Sequence, residues 1–105
     1  MTTSTNKFDA LESLIHEEGL RINAVDVHPD LDLLLIVLNT KSVLRQRLSN
    51  HKRFSNATRE QLLNYRLIGQ GTGIHWPELD EDLSLKGFLR DELKAIVNTG
   101  RQKAA

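Results

Sequence analysis

The chain has 105 residues, equal numbers of acidic and basic side chains, 39% hydrophobic residues and no cysteine. This is the composition of one soluble globular domain, and it excludes disulfides, thiolate chemistry and cysteine-ligated zinc or iron–sulfur sites. Zero net charge argues against generic nucleic-acid binding through a global field.

The charge is segregated along the chain. Seven acids and one base lie between Phe8 and Leu38, seven bases and one acid between Thr40 and Arg66, and six acids and two bases between Glu78 and Leu93. Opposite-sign surfaces side by side in one fold, or paired across a homodimer, account for this pattern. The sharper alternative is a basic face awaiting an anionic partner. The start, MTTSTNKFDAL, lacks the basic and apolar segments of a secretory signal, and the longest apolar stretch, Leu33 to Leu38, is too short to cross a bilayer. A cytoplasmic protein without membrane association is therefore expected.

Residues 1–5 are small and polar and are expected to be disordered. A helix is predicted over 6–18, capped by Asn6, with Asp9 in its first turn and Phe8, Leu11, Leu14 and Ile15 at helical spacing. Gly19 supplies a left-handed stop. Arg21 to Val27 reads as a strand, with Ile22, Ala24 and Asp26 on one face and Val25 and Val27 favouring extension. His28-Pro29-Asp30 turns the chain, and the run LDLLLIVL over 31–38 reads as a central strand covered on both faces. Val43 to Leu48 alternates Leu44, Gln46 and Leu48 against Val43, Arg45 and Arg47, which gives a half-exposed strand with a basic outer face.

A polar loop over 49–56 carries His51, Lys52, Arg53 and Phe54. Thr58 and Gln61 then have the spacing of a capping box opening a short helix. Arg66 to Gly69 and Gly73 to Trp76 are short extended pieces around a glycine-rich turn, the second ended by Pro77, which has no amide to donate to a ladder. The final helix is predicted over about 84–98, with Leu85, Phe88, Leu89, Leu93, Ile96 and Val97 on one face and Gly100 as its cap. Gly87 in its first turn suggests a close approach of backbones. The basic tail, 101–105, is expected to be frayed.

Gly69, Gly71 and Gly73 invite a phosphate-loop reading, but no helix follows them, so positive φ angles in a hairpin explain them better. Asp80, Glu81 and Asp82, with Ser84 and Asp91, trace part of a calcium-loop spacing, yet Leu85 stands where that loop needs glycine. Asp80 and Asp82 immediately before a helix are expected to cap it and complement its dipole. His75 should point away from the adjacent Trp76, toward solvent or a cleft, with Glu78, Asp80 or Glu81 available to orient it; no nucleophile accompanies it in a recognisable motif. Arg45, Arg47, Lys52 and Arg53 could track phosphates, but Phe54 and Tyr65 are a thin aromatic complement for single-strand binding, and no helix-turn-helix or zinc-finger pattern appears.

The segment ATREQLLNYRLIGQGTGIHWPELDEDLSLKGFL, residues 57–89, resembles the signature of a bacterial family of small proteins, the domain of unknown function 2442. The similarity aligns without gaps from Arg53 to Leu89 and extends more weakly to about Ile22. It departs from the family in having His51 and Lys52 where an aromatic–proline pair is usual. The resemblance implies a small α+β domain with an antiparallel sheet. Members often occupy gene pairs resembling toxin–antitoxin modules, and some add a C-terminal helix-turn-helix; the 16 residues after Leu89 are too few for one.

The expectation is thus a single α+β domain over 1–105 with a family-like core at about 22–90. Its small antiparallel sheet of three or more strands carries packed N-terminal and C-terminal helices. The expected role is a non-enzymatic interaction or regulatory module, antitoxin-like, without cofactor or metal, binding a protein partner or a second copy of itself. A nucleic-acid-binding regulator using the basic 41–66 face is the alternative, and a small metal-dependent enzyme around His75 and Asp80 to Asp82 the second.

Overall fold

A computed structural model describes residues 8–104. The first helix, α1 (Ala10–His16), is opened by Asp9, whose carboxylate accepts the Glu12 amide while Glu12 reaches back to the Asp9 amide. This reciprocal box fixes the start at Asp9. The predicted cap, Asn6, and the expected disorder of 1–5 lie outside the described residues. Gly19 is left-handed at φ +77°, and the Leu20 amide reaches back to the Leu14 carbonyl, closing the helix end.

Strands β1 (Ile22–His28), β2 (Leu33–Leu38) and β3 (Val43–Gln46) form an antiparallel meander with β2 in the centre. The faces of β1 differ from those the sequence suggests. Ile22 pairs with Leu38 and Ala24 with Val37, so one extra residue bulges out of β1 and shifts its phase. Ile22 therefore joins Val25 and Val27 in the core, while Ala24 and Asp26 face out. Strand β2 is central, as expected, but only Leu34, Ile36 and Leu38 are fully buried; Leu33, Leu35 and Val37 are half-covered on the other face. Strand β3 alternates as the sequence predicts, Leu44 and Gln46 inward, Val43 and Arg45 outward. Asn39, in the β2–β3 turn, ties the hairpin to the α1–β1 connection, donating to the Gly19 carbonyl at 2.9 Å and accepting the Arg21 amide at 3.1 Å.

Two single 3-10 turns over Leu48–Asn50 and Lys52–Phe54 occupy the polar loop and drive Phe54 into the core. Helix α2 (Arg59–Leu63) opens on the predicted box: Thr58 Oγ1 accepts the Gln61 amide at 3.1 Å, and Gln61 Oε1 accepts the Thr58 amide at 2.9 Å. Strands β4 (Arg66–Ile68), β5 (Gly73–Trp76) and β6 (Glu81–Ser84) form a second antiparallel meander. Gly69 and Gly71 take positive φ in its first turn; Gly73 does not, and is small because a Cβ there would press on Ile68 and the Leu83 carbonyl at 3.3 Å. Pro77 follows the last residue of β5, as expected.

The two sheets meet along the free edge of β1. The Gly71 carbonyl accepts the Ile22 amide at 2.7 Å, and the Tyr65 hydroxyl donates to the Val25 carbonyl at 2.8 Å. Trp76 is fully buried at this junction; its Nε1 donates to the Leu62 carbonyl at 2.9 Å, and its ring packs on Phe54 and Tyr65. One hydrophobic cluster draws on both sheets and all three helices. The result is an α+β fold with six strands in two sheets rather than one.

Helix α3 (Leu85–Ala104) runs through Gly100, which does not cap it, and through most of the tail expected to fray. Its 20 residues span about 30 Å at 1.5 Å per residue. Leu85 and Phe88 are buried, but Leu93, Ile96 and Val97 are exposed, because the helix outlasts the sheets beneath it. Gly87 avoids no backbone: a Cβ there would meet the Ser84 hydroxyl at 3.2 Å. Among the described residues no helix is long and apolar enough to cross a membrane.

Candidate functional site

The acids of residues 80–82 do not cap α3. Asp80 sits in the β5–β6 turn at φ +50°, and Asp82 belongs to β6. The cap is Ser84, whose Oγ accepts the Gly87 amide at 3.0 Å. The sequence failed here because a four-residue strand between proline and helix carries no apolar alternation strong enough to separate it from a cap.

Strand pairing sets Arg66, His75 and Asp82 directly opposite one another across the second sheet. His75 points away from Trp76, as expected, and its Nδ1 is paired with the Asp82 carboxylate rather than with Glu78, Asp80 or Glu81. Glu78 is taken by the Asn64 amide at 2.7 Å. Among the described residues no three His, Cys, Asp or Glu side chains stand together as a metal site. The His75–Asp82 pair is an exposed cross-strand contact, with Asp82 66% exposed.

The basic residues separate into two groups. Arg45 and Arg47 line one wall of an open groove of about 520 Å³, whose other wall is Asp91 and Glu92 of α3. Lys52 and Arg53 lie exposed on the following turn and do not line it. At the groove floor, buried Gln46 links two elements: its Oε1 meets His51 Nε2 at 2.7 Å, and its Nε2 donates to Asp91 Oδ2 at 2.8 Å. Since the Gln46 carbonyl oxygen can only accept, His51 donates from Nε2. Burial pushes the His51 imidazole below its ordinary pKa, against the opposing fields of Glu81 and Asp91. Beside the groove, left-handed Asp32 accepts the Ser49 amide and hydroxyl at 2.8 and 2.6 Å, and the Ser49 hydroxyl, its backbone amide and nearby Arg47 hold the carboxyl below its usual range.

The sequence did not anticipate a second groove, of about 450 Å³, between α1 and the distal half of α3. Leu11, Leu93 and Val97 line it with Arg90, Lys94 and Asn98. Leu93, Ile96 and Val97 are 51, 59 and 49% exposed and continue the stripe that buries Leu85 nearer the sheets. Helical periodicity places these residues on one face, but it cannot say where the covering sheet ends. Neither groove is lined by His75.

Comparison with known proteins agrees with the fold. No curated protein matches the chain. A crystal structure of a protein of unknown function from Rhodospirillum rubrum superposes with a TM-score of 0.62 at 25% identity, covering 69% of this chain and 87% of that one. A solution structure of an uncharacterized protein from Chromobacterium violaceum gives a TM-score of 0.62 at 26% identity, over 86% and 85% of the two chains. The model of the family described as protein of unknown function (DUF2442) matches residues 22–94, the whole of both sheets and the first half of α3. The chain belongs to that family.

Proposed function

We propose that the protein is a non-enzymatic docking module that binds another protein along the distal half of α3. The observation supporting this reading is the run of Leu93, Ile96 and Val97, each about half exposed or more on one helical stripe beside an open groove. Contiguous apolar surface of this kind marks interaction sites more often than it serves a monomer. The finer reading, an antitoxin-like regulator of a protein encoded beside it, draws on the gene-pair habit of the family it resembles. A test is purification of the tagged chain from its native cell at low salt, alongside L93D/V97D. The expected result is a stoichiometric protein partner retained by the wild type and lost from the variant. Absence of any stoichiometric partner, or equal retention by the variant, would refute the reading.

One observation favours a nucleic-acid-binding alternative: the Arg45 guanidinium makes no hydrogen bond or ion pair among the described residues. Phosphate contacts by Arg45, Arg47, Lys52 and Arg53 would give steeply salt-dependent binding. No mobility shift of DNA or RNA at about 50 mM salt removes that alternative. A catalytic role has less support, because Asp82 holds His75 in a solvent-exposed pair and Asp80 lies in a separate turn.

A further inference from the structure

The proposed docking face carries a specific chemistry, and α1 shows how the fold recognises it. On α3, Leu85, Leu89, Leu93 and Val97 form an apolar row at four-residue spacing, and Lys86, Arg90 and Lys94 form a basic row beside it. Four-residue spacing keeps each row on one helical face. Helix α1 occupies the first part of both rows. Its Ile15 is buried in the core, and its acids grip the first base: Asp9 Oδ2 lies 2.8 Å and Glu12 Oε1 3.6 Å from Lys86 Nζ. Those carboxylates hold the Lys86 ammonium above its ordinary pKa, the Asp9 hydrogen bond contributing most.

Beyond α1 the same chemistry repeats, and no other described element covers it. Leu93 and Val97 continue the apolar row, and Arg90 and Lys94 continue the basic row with no ion pair among the described residues. The groove of about 450 Å³ begins at Leu11 on α1 and ends at Asn98, so an occupant would extend the existing α1–α3 contact. Resting on the docking reading above, we infer that the partner presents an amphipathic helix whose apolar stripe is flanked by acids. Arg90 to Asn98 spans about 12 Å along α3, room for about two turns of such a helix. A second copy of this chain is a poorer occupant: in an antiparallel pair of α3 helices the flank bearing Arg90 and Lys94 faces its own copy, setting like charges together.

The test uses two synthetic amphipathic helical peptides with the same leucine stripe, one flanked by glutamate every fourth residue and the other by lysine. Each is titrated with the full chain by fluorescence anisotropy, with sedimentation of the chain alone in parallel. The glutamate peptide should bind on the order of fivefold or more tightly than the lysine peptide, and R90E/K94E should reverse the order. Equal binding of the two peptides, or binding unaffected by R90E/K94E, overturns the acidic-helix assignment. So does self-association of the chain that L93D abolishes, although this outcome leaves α3 as a docking face. If neither peptide binds, the assignment also fails, and the native-cell purification decides the docking reading separately. Circular dichroism of R90E/K94E should match wild type, since neither side chain is buried.

Discussion

Gly71 and Gly19 offer a matched pair of substitutions that isolates the seam between the two sheets. Both glycines are left-handed, at φ +94° and +77°, so alanine at either position carries the same kind of backbone penalty, about 1–2 kcal/mol. A Cβ at Gly19 meets nothing within 4 Å, whereas one at Gly71 would stand 2.7 Å from the Ile22 carbonyl oxygen and 3.3 Å from Arg21 Cβ. The contact partner is backbone, paired in a strand and tied to Gly71 itself through the Ile22 amide, so it cannot swing aside. Overpacking of this sort adds about 1–3 kcal/mol.

G19A should therefore cost about 1 kcal/mol and G71A about 3 kcal/mol. At roughly 4–8 °C per kcal/mol for a domain of this size, the two melting temperatures should fall by about 5 °C and about 15 °C. Urea unfolding followed by circular dichroism measures both, with an unchanged m value to show that the unfolded state is comparable. If the two costs agree within about 0.5 kcal/mol, the close approach of Gly71 to β1 is not what joins the sheets, and the packing argument fails.

Other parts of the fold make separate predictions. W76F removes the buried Nε1 donor, orphans the Leu62 carbonyl and leaves a small void; a loss of about 2–4 kcal/mol in urea unfolding is expected, and a loss under about 1 kcal/mol would show that the bond is dispensable. S84A should cost about 1 kcal/mol while D82A stays within about 0.5 kcal/mol; the reverse order would restore Asp82 as the cap of α3. Because burial lowers the His51 pKa, the unfolded chain binds the proton more tightly. Stability is then fully present above about pH 6.5 and falls as pH drops through the window below it. H51Q, which keeps a donor for Gln46, should lose less stability than wild type between about pH 7.5 and pH 5.5, and equal losses would place the titration elsewhere.

What the sequence discloses and what it hides divide along the range of the interactions. Thr58 and Gln61, Gly69 and Gly71, and the alternation of β3 are local, and each was legible because a spacing of a few residues carries the whole physical requirement. The bulge in β1 depends on which β2 residue each β1 residue meets, so Ile22 looked like a partner of Ala24 rather than of Val25. Strand β6 exists because β5 lies beside it, and that pairing turned Asp82 from a helix cap into a neighbour of His75. The exposed end of α3 was misjudged for a third reason. An apolar stripe records that a face is covered, but not whether its own fold covers it.

An apolar stripe that its own fold leaves uncovered lets one fold serve different partners. The residues densest in special backbone and aromatic character, 57–89, are spent on the seam: Trp76 against Leu62, Gly71 against Ile22, Ser84 on the first turn of α3. The family-matched segment, 22–94, contains that machinery, whereas Leu11 on one wall of the distal groove and Val97 and Asn98 on the other lie outside it. Exchanging residues 8–16 and 90–99, which carry the whole lining of that groove, between two members should then exchange partners without disturbing the fold. The check is a pair of reciprocal chimaeras: each should melt within about 5 °C of the parent that supplies its sheets and bind the partner of the parent that supplies its helix ends. Partner choice that follows the sheets instead would move the recognition surface to Arg45 and Arg47, on the exposed face of β3 and the turn after it.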